Sequence, residues 1–429
     1  MSSGGSSQSD DGPPPLVLNL KGLERAVLRI YGWVRGGDGD GSVLFEKVAI
    51  GRYHEVFLAQ CFPKSPCFEA IDSPENAANS SPMNGDSAQW ECIIRFSREP
   101  ESVAKLQSEV AAMSVALRHG GLPVPSIYAI NFGADSANEV GAQYIIMEKL
   151  PGHHLYKLWD DLDLEDKKRA IEQIASVLVA LSNISYDKIG SLCCEFEEPA
   201  QQKNVVGPLL FADSKDGASI FTSSAGPFTT TQDYVEYFLA RHCGEEASFE
   251  DALDIVEDFF KSNADRSCLQ PPFRLIHGDF DAQNLLFVGG RSVGELEDLK
   301  LTGVIDWEYA YIGPVYYLYE YPIFIQDTWE QDPDYDWKTI LRKHFIRSLI
   351  RSFPRGSLGR KEVRECMQKE FVLEFCQRTV VHQGVSLKGH LGELLEAFVT
   401  DAQNGTGRVY DGRDNFENVR DIESEDETC

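Results

Sequence analysis

Two neighbouring stretches of the chain decide its fold, RLIHGDFDAQNLLF (274–287) and LTGVIDWEYAYIGP (301–314). In each stretch, polar residues stand directly beside a short apolar run of the kind that forms a buried strand. The runs NLLFV and LTGVID flank a Gly-rich segment, so they predict a hairpin. Such a hairpin returns Asp306 to the end at which Asp279 and Asn284 lie, which indicates a site with two carboxylates and one amide.

These three side chains are suited to phosphoryl transfer. That reaction needs a carboxylate near the attacking hydroxyl group, together with an amide and a second carboxylate that hold Mg²⁺. Taken singly, Asp279 could cap a turn, Asn284 could satisfy backbone groups and Asp306 could end a strand, but the ordered set favours the functional interpretation. His277 is expected to hydrogen-bond the loop rather than act as a base. A metal-hydrolase site on Asp281, through the pattern HxDxD, lacks support from another His cluster.

The segments HGDFDAQN (277–284) and GVIDWEYA (303–310) resemble the paired motifs of the aminoglycoside phosphotransferase and choline kinase family, whose members are relatives of the protein kinases. The surrounding sequence is similar to the large fungal branch of phosphotransferase-like proteins. The likeness covers roughly residues 43–400. It implies an α+β, two-lobed, protein-kinase-like fold with a small antiparallel-sheet N-lobe and a larger helical C-lobe.

The resemblance also implies a function and the roles of the motif residues. Asp279 would orient or deprotonate the acceptor hydroxyl group, and Asn284 and Asp306 would ligate Mg²⁺. Trp307 and Glu308 are assigned to packing and to the surface. The implied enzyme is a small-molecule kinase that uses ATP and Mg²⁺ to phosphorylate a hydroxyl group.

The nucleotide-binding residues are placed, by the same resemblance, in the strand-rich part of the chain. Gly51 in IGRYHEVFLAQ (50–60) would let backbone N–H groups approach phosphate. Arg95 in WECIIRF (90–96) stands where kinases carry a phosphate-pairing Lys, and an Arg keeps the charge with a different reach. Glu109, in the following helix, would hold Arg95.

Each of these three positions also has a plainer interpretation. Gly51 could belong to an ordinary β-turn, Arg95 could be a surface residue of an amphipathic strand, and Glu109 could be solvated. The segment QYIIMEKLPG (143–152) is assigned to the lobe connector by resemblance. There the backbone of Met147, Glu148 and Leu150 would meet adenine.

Hydrophobic patterns outside the motifs divide the chain into two regions. Strand-like runs predominate from about 43 to 150, interrupted by the helical segment ESVAKLQSEVAAMSVALRH, and helical patterns predominate after Pro151. Further helices are predicted near 164–184, 232–242, 247–262, 336–352, 361–380 and 387–402. The predicted domains are a disordered tail (1–20), a nucleotide-binding N-lobe (21–149) with a flexible insert (73–89), a catalytic and acceptor-binding C-lobe (150–410) and an acidic tail (411–429).

Two helices allow a prediction of their buried faces. In the first, the predicted stripe consists of Val103, Leu106, Val110, Met113 and Leu117. In the second, which Asp163 is expected to cap, it consists of Ile171, Ile174, Leu178 and Leu181.

Composition and charge exclude several classes of function. The 429 residues include 40 Lys and Arg against 68 Asp and Glu, for a formal net charge of −28. Such an acidic chain is a poor candidate for binding nucleic acid or anionic lipid, and it suits a cationic acceptor such as an amino alcohol. The sequence shows no apolar run of membrane-spanning length and no signal-peptide pattern, so a cytoplasmic protein with reduced cysteines is expected.

Two other functions remain open at this point. A non-catalytic, kinase-like protein that binds nucleotide or a partner would explain Arg95 and the single glycine of the first turn, although the intact set of Asp279, Asn284 and Asp306 argues against it. A protein kinase is disfavoured because neither a DFG triplet nor an APE-like segment follows Asp306.

Overall fold

Strand β3 (Trp90–Ser97) is central to an antiparallel sheet in this computed structural model, in which the strands follow the order β1–β2–β3–β5–β4. Alternate residues of β3, Cys92, Ile94 and Phe96, are fully buried, as expected for a strand with one face against a core. The other strands are β1 (Gly41–Ile50), β2 (His54–Pro63), β4 (Ile127–Asn131) and β5 (Tyr144–Glu148).

The structure describes residues 16–36, 39–51, 53–63, 90–98, 102–133, 138–197, 201–211, 223–290, 298–326, 335–368, 370–379 and 391–405. They belong to two units, the first within 1–103 and 126–149 and the second within 104–125 and 150–429. The predicted insert 73–89 and acidic tail 411–429 lie outside the described residues, as do residues 1–15 of the predicted N-terminal tail.

Helix α1 (Leu20–Arg35) covers the core of the first unit and was not predicted. The sequence carried the signal, because Leu23, Val27 and Ile30 recur at helical spacing and are buried. The side chain of Asn19 accepts a hydrogen bond from Gly22 N at 3.3 Å and caps the helix.

The predicted extent of the N-terminal tail is therefore wrong at residues 16–20. Leu16 and Leu18 pack against the core of the first unit, and Asn19 N donates to Val140 O at 3.0 Å. Apolar residues alternate in this short segment, and burying them offsets the entropy lost on ordering it.

The second unit is mainly helical. Its helices are α2 (Val103–Gly120, with Val103 itself in the first unit), α3 (Leu155–Leu158), α4 (Leu164–Ser182), α5 (Thr231–Cys243), α6 (Phe249–Ser262), α7 (Tyr335–Arg351), α8 (Leu358–Met367), α9 (Phe371–Thr379) and α10 (Leu391–Asn404). Its strands are β6 (His153–His154), β7 (Ser185–Tyr186), β8 (Leu192–Glu197), β9 (Gln201–Val206), β10 (Leu209–Phe211), β11 (Ser223–Ala225), β12 (Phe273–Ile276), β13 (Leu285–Val288), β14 (Lys300–Val304) and β15 (Tyr311–Gly313).

Helix α4 matches its prediction closely. The side chain of Asp163 accepts a hydrogen bond from Asp166 N at 2.8 Å, and the four residues of the predicted stripe are buried. The segment predicted as one helix over 361–380 is instead two helices, α8 and α9. Most of the short strands were also missed, because two to six residues show too little periodicity to be recognised.

The buried face predicted for helix α2 is correct at Leu106 and Met113, which are 1% and 3% exposed, and wrong at its two ends. Val103 is 45% exposed and Leu117 is 38% exposed, whereas Lys105 and Glu109 are 2% and 3% exposed. The helix is buried around much of its circumference, including positions with charged residues, so a stripe drawn through its largest apolar side chains covers only part of the buried surface.

Residues 104–125, which the prediction assigned to the N-lobe, group with the second unit. Two contacts explain the grouping: Lys105 Nζ donates a hydrogen bond to Glu308 O, and Val304 N donates to Pro123 O at 2.8 Å. The other predicted domain boundaries stay predictions.

The predicted hairpin that positions the candidate site is formed by β13 and β14. These strands pair antiparallel with Leu285 opposite Val304, and Ile305 N donates to Asn284 O at 3.0 Å just beyond that pair. Strand β12, which leads into His277, pairs with β15 and β7. Among the described residues, no helix has both the length and the apolar composition needed to cross a membrane.

Candidate active site

The loop after β12 holds Asp279 through hydrogen bonds within the motif itself. Asn284 Nδ2 donates to both the backbone oxygen and the Oδ2 atom of Asp279, each at 2.9 Å, and Asp281 N donates to Asp279 O at 3.0 Å. The carboxylate of Asp281 accepts from Ala282 N at 2.7 Å and caps the short 3₁₀ turn that ends at Asn284. The amide and the first carboxylate of the predicted set therefore lie in direct contact.

Gly278 brings this loop against the loop that follows β14. Its φ of 81° lies in the left-handed region, and a Cβ atom at this position would lie 2.2 Å from Tyr309 O. Only glycine satisfies both conditions, because any side chain would meet backbone rather than a movable group. The two loops therefore meet backbone to backbone.

Asp306 has an uncommon backbone conformation. Its φ is 65°, which Asp tolerates better than most residues but which persists only where the surroundings impose it. The preceding residue, Ile305, is fixed by its bond to Asn284 O and by His277 Nε2, which donates to Ile305 O at 3.0 Å. The following residue, Trp307, is fully buried and donates from Nε1 to Val304 O at 3.0 Å.

The electrostatics of the two loops favour a basic Asp279. Burial raises the pKa of Asp279, and the negative charges of Asp306 and Asp281 act in the same direction, while the hydrogen bond from Asn284 opposes them. A carboxylate with a raised pKa accepts a proton more readily from an alcohol.

His277 supports the loops as a neutral side chain. Burial lowers the pKa of His277 from 6.5 to about 4, against the opposing effect of the Asp306 charge. With Nε2 donating to Ile305 O, the Nδ1 atom accepts from Asp279 N at 3.4 Å. This geometry fits the expected hydrogen-bonding role.

The donor set of the loops fits Mg²⁺. The Nδ2 atom of Asn284 donates to Asp279, so the atom of this side chain that could bind a metal is Oδ1, and Asp306 would add a carboxylate. Mg²⁺ prefers such oxygen ligands, and it commonly takes few of them from the protein and the rest from phosphates and water. In the described part of the chain, no group of three or more His, Cys, Asp or Glu residues is arranged to bind a metal.

In the first unit, the residues predicted to bind the phosphates of ATP lie on the sheet or in a turn between its strands. Gly51 is in the turn between β1 and β2, where its N–H donates to His54 O at 2.8 Å. A Cβ atom on Gly51 would meet His54 O at an ordinary 3.5 Å, so the fold itself does not require glycine there. Arg95, on β3 between Val56 and Ile145, is only 8% exposed, so it is not a surface residue.

The remaining predicted nucleotide residues are divided between the units. Met147 and Glu148 end strand β5 in the first unit, where Glu148 N donates to Ser126 O at 2.8 Å. Leu150 and Glu109 belong to the second unit, and the burial of Glu109 contradicts the solvated alternative. The pairing of Glu109 with Arg95 stays a prediction.

A cavity of about 310 Å³ in the second unit has Asp279 in its wall. This cavity was not predicted from the sequence, although the segment YAYIGPVYYLYEYP (309–322) indicates a binding surface through its density of tyrosines. The polar and aromatic residues of the wall are His277, Asp279, Phe280, Tyr309, Tyr311, Tyr317, Glu320, Tyr321, Gln326 and Gln377.

Glu320 provides a second carboxylate in that wall. Gln377, on helix α9, donates a hydrogen bond from Nε2 to Glu320 Oε1. Burial raises the pKa of Tyr311, and the charge of Glu320 acts in the same direction, so the Tyr311 hydroxyl group is protonated at neutral pH. The cavity thus combines negative charge with aromatic faces and neutral hydroxyl groups.

Glu308 was predicted to lie on the surface, and that prediction is wrong. Glu308 is 9% exposed, and its Oε2 atom lies 3.7 Å from Nζ of the buried Lys105. The assignment failed because the partner comes from a helix about two hundred positions earlier in the chain. The packing role of the fully buried Trp307 is confirmed.

Comparison with known proteins agrees with this geometry. The profile of the APH family, described as the phosphotransferase enzyme family, matches residues 78–317, more than half of the chain, including both loops. The chain belongs to this family. The APH phosphotransferase assignment confirms the resemblance stated above. With the antiparallel sheet of the first unit and the helices of the second, it also confirms the predicted α+β class of kinase-like fold.

Individual relatives of this APH-family chain share only part of their length with it. The protein "Altered inheritance of mitochondria protein 9, mitochondrial" of Candida tropicalis is 37% identical over 95 residues, which are 21% of this chain and 15% of that protein. "Clavilactone A biosynthesis cluster protein Y" of Ampulloclitocybe clavipes is 25% identical over 248 residues, which are 54% of this chain and 55% of that protein. The chain therefore spans well under two thirds of the length of these curated relatives.

A solved structure, the GDP and kanamycin complex of APH(2″)-IIIa, aligns with a TM-score of 0.45 at 15% identity and covers 89% of this chain and 99% of that chain.

Proposed function

We propose that this protein is an ATP- and Mg²⁺-dependent phosphotransferase that moves the γ-phosphoryl group of ATP to a hydroxyl group of a small molecule. The observation that carries the proposal is the pair of joined loops in which Asn284 holds Asp279 at 2.9 Å and the Asp306 charge acts on Asp279. Membership in the phosphotransferase family supports the reaction class.

Asp279 is the proposed catalytic base. Asp279 lies in the wall of the cavity that an acceptor could enter, and burial raises the pKa of its carboxyl group. As the acceptor oxygen bonds to the γ-phosphorus, its proton passes to Asp279 and the bond from the γ-phosphorus to the bridging oxygen breaks, releasing ADP. The loop hydrogen bonds hold the base in place and so reduce the entropy lost on reaching this arrangement.

Asn284 Oδ1 and the Asp306 carboxylate are the proposed Mg²⁺ ligands. When bound, Mg²⁺ supplies positive charge that stabilises the β- and γ-phosphates during transfer. The role of the chain is to fix the two oxygen ligands beside the base, which the bonds of Ile305 to Asn284 and His277 accomplish.

The residues that the family resemblance assigned to the nucleotide are proposed to bind it. Gly51 and Arg95 would contact the phosphates, with Glu109 holding Arg95, and the backbone near Met147, Glu148 and Leu150 would contact adenine. Support for Arg95 comes from its position on β3, where the resembling kinases carry a phosphate-pairing Lys, and from the charge that Arg keeps there.

The acceptor is proposed to be a cationic alcohol, such as an amino alcohol. Two carboxylates, Asp279 and Glu320, lie in the cavity wall together with several tyrosines, and none of the described residues that line it is Lys or Arg. Aromatic faces and carboxylates both attract an ammonium group.

One experiment tests the transfer. Purified protein is supplied with Mg²⁺ and ATP and screened for ADP formation with amino alcohols, neutral alcohols of matched length, sugars and aminoglycosides. We expect turnover to be highest with a cationic acceptor and to fall by about 10²- to 10⁴-fold in Asp279→Asn, since general-base catalysis has that magnitude.

Asp281→Asn is the matched control, because it changes a carboxylate of the same loop while an amide oxygen can still cap Ala282. It should retain most of the turnover. Protein that binds Mg²⁺–ATP but phosphorylates no acceptor, or an Asp279→Asn variant that turns over like the wild type, would favour the alternative of a non-catalytic nucleotide-binding protein.

A cytoplasmic location also belongs to the proposal. The buried thiols of Cys61, Cys92 and Cys243 are free, which suits a reducing compartment. Because the name of the Candida tropicalis relative includes the word mitochondrial, a fluorescent fusion imaged beside a mitochondrial marker distinguishes the two locations.

A further inference from the structure

A buried ion pair connects helix α2 to the loop that carries Asp306. Lys105 and Glu308 have side chains that are 3% and 8% exposed, with Nζ and Oε2 3.7 Å apart. Lys105 Nζ also donates a hydrogen bond to the backbone oxygen of Glu308 and lies 5.5 Å from the centroid of the Tyr309 ring. One cation thus contacts the side chain, the backbone and the neighbouring ring of the same loop.

The contacts of Lys105 matter because they lie on the part of the loop that follows Asp306. Upstream of Asp306, the loop is fixed by Ile305, through its bonds to Asn284 and His277. Downstream, Ala310 N donates to Trp307 O at 3.0 Å and closes a turn whose two central residues are Glu308 and Tyr309. Lys105 holds that turn through its contacts with Glu308 and Tyr309. The chain is therefore restrained both before and after the left-handed Asp306.

Burial of such a cation has a cost that packing alone does not explain. Removing an ammonium group from water is unfavourable by several kcal/mol unless it is paired and hydrogen-bonded, and a Leu or Met at position 105 would pack in a helix without that cost. The charge of Lys105 is therefore expected to serve the loop it contacts.

We propose that Lys105 is a positioning residue that sets the conformation of the Asp306 loop through Glu308 and thereby sets the affinity of the nucleotide site for Mg²⁺. The proposal rests on the proposed function, in which Asp306 ligates Mg²⁺. Lys105 lies one helical turn before Glu109 on α2, so the same helix would hold both the metal loop and the predicted partner of Arg95.

Calorimetry tests the proposal without requiring an acceptor. ATP binding to Lys105→Met, Glu308→Gln and the wild type is measured over a range of Mg²⁺ concentrations. We expect the half-saturating Mg²⁺ concentration to rise about 10- to 100-fold in either variant, the range found when groups that orient metal ligands are removed. In the double variant the rise should be smaller than the product of the two, because each substitution breaks the same contact.

Glu362→Gln is the matched control. Glu362 is a buried carboxylate of the same unit, paired with Arg274 at 2.9 Å and placed on α8. Its substitution should lower the melting temperature without moving the Mg²⁺ midpoint. If Lys105→Met and Glu308→Gln behave in the same way, the pair is merely structural and the proposal is overturned.

Hydrogen exchange separates failure of this proposal from failure of the proposed function. In Lys105→Met without nucleotide, amides of residues 305–310 should exchange faster than in the wild type and in Glu362→Gln. Unchanged exchange would overturn the positioning role whatever the protein catalyses. A third outcome is faster exchange together with ATP binding that never depends on Mg²⁺. It would confirm that Lys105 stabilises the loop, but it would overturn both the metal role and the proposed function. If Lys105→Met does not fold, both measurements are made on Glu308→Gln, which is nearly isosteric with the wild type.

Discussion

The two units hold their candidate residues in different ways. In the second unit, Asn284 donates hydrogen bonds to Asp279 and accepts one from Ile305, the neighbour of Asp306, and Gly278 is required by the contact between the two loops. In the first unit, the turn at Gly51 has room for a side chain. The residues of the second unit are thus fixed by the protein itself, whereas a need for glycine at position 51 would have to come from a ligand.

This difference predicts how each region responds to substitution. Changes in the second unit should disturb the site even without a nucleotide, because its loops support each other. Changes in the first unit should affect chiefly the binding of the nucleotide. The four predictions that follow test this contrast.

The largest effect is expected for Asp306→Asn. Asparagine tolerates a positive φ, so the loop should remain folded while a charged oxygen ligand is lost. We expect the Mg²⁺-dependent part of ATP affinity to fall about 100-fold or more, measured by calorimetry with and without Mg²⁺. Asp281→Asn is the control for the loss of a nearby carboxylate. Equal, magnesium-independent affinities in wild type and variant would contradict the assignment of the metal ligand.

Gly278→Ala should cost about 3 kcal/mol of unfolding free energy or more. The new Cβ atom would lie 2.2 Å from Tyr309 O at a φ of 81°, so both a clash and backbone strain arise. Gly51→Ala is the matched control, and its unfolding free energy should change by less than about 0.5 kcal/mol. Urea unfolding of both variants measures the difference. Similar losses at the two positions would remove the contrast between the units.

Arg95→Met should weaken ATP binding about tenfold or more while leaving adenosine binding nearly unchanged. A charge-assisted hydrogen bond contributes about 1.5–3 kcal/mol, and only ATP has the phosphates that would receive it. Glu109→Gln should act in the same direction but less, since its effect would pass through Arg95. Equal affinities of wild type and Arg95→Met for both ligands would assign Arg95 a structural role in the sheet.

The smallest effect is expected from His277, as a change of stability with pH. Because the pKa of His277 is about 4 in the folded chain and 6.5 in the reference state, the unfolded chain binds more protons in this window. The contribution of neutral His277 to the free energy of unfolding is fully present above pH 6.5. It is lost as the pH falls towards 4, at no more than about 1.4 kcal/mol per pH unit.

His277→Gln should therefore show a shallower decline of unfolding free energy over the same window, measured by urea unfolding at several pH values. Both proteins retain Asp279, whose raised pKa acts in the opposite direction, so its contribution largely cancels in the difference. Parallel curves for wild type and variant would show that His277 titrates normally.

The parts of the molecule that could be predicted from the sequence are those fixed by nearby residues. The HGDFDAQN loop is closed by contacts over two to five positions, and helix α4 is specified by its cap and its stripe. The α+β class followed from the change of periodicity near Pro151. In these places local pattern and final structure depend on the same residues.

The parts that escaped prediction depend on distant residues. Lys105 and Glu308 lie 203 positions apart, and no pattern within either segment indicates that they meet. The orientation of helix α2 was misjudged for the same reason, because its charged face is buried by a loop from far along the chain. In the cavity wall, Gln377 likewise contacts Glu320 from a distant part of the chain. The density of tyrosines, in contrast, could have indicated a binding surface.

The left-handed conformation of Asp306 limits which substitutions can accumulate at this position during evolution. Few residue types adopt that conformation readily, chiefly Gly, Asn and Asp. Both an Asn and a Gly codon are a single base change from either Asp codon. A descendant could therefore lose the proposed metal ligand in one mutational step and keep its fold, so catalytically silent copies that still bind nucleotide should be accessible to evolution from an active ancestor.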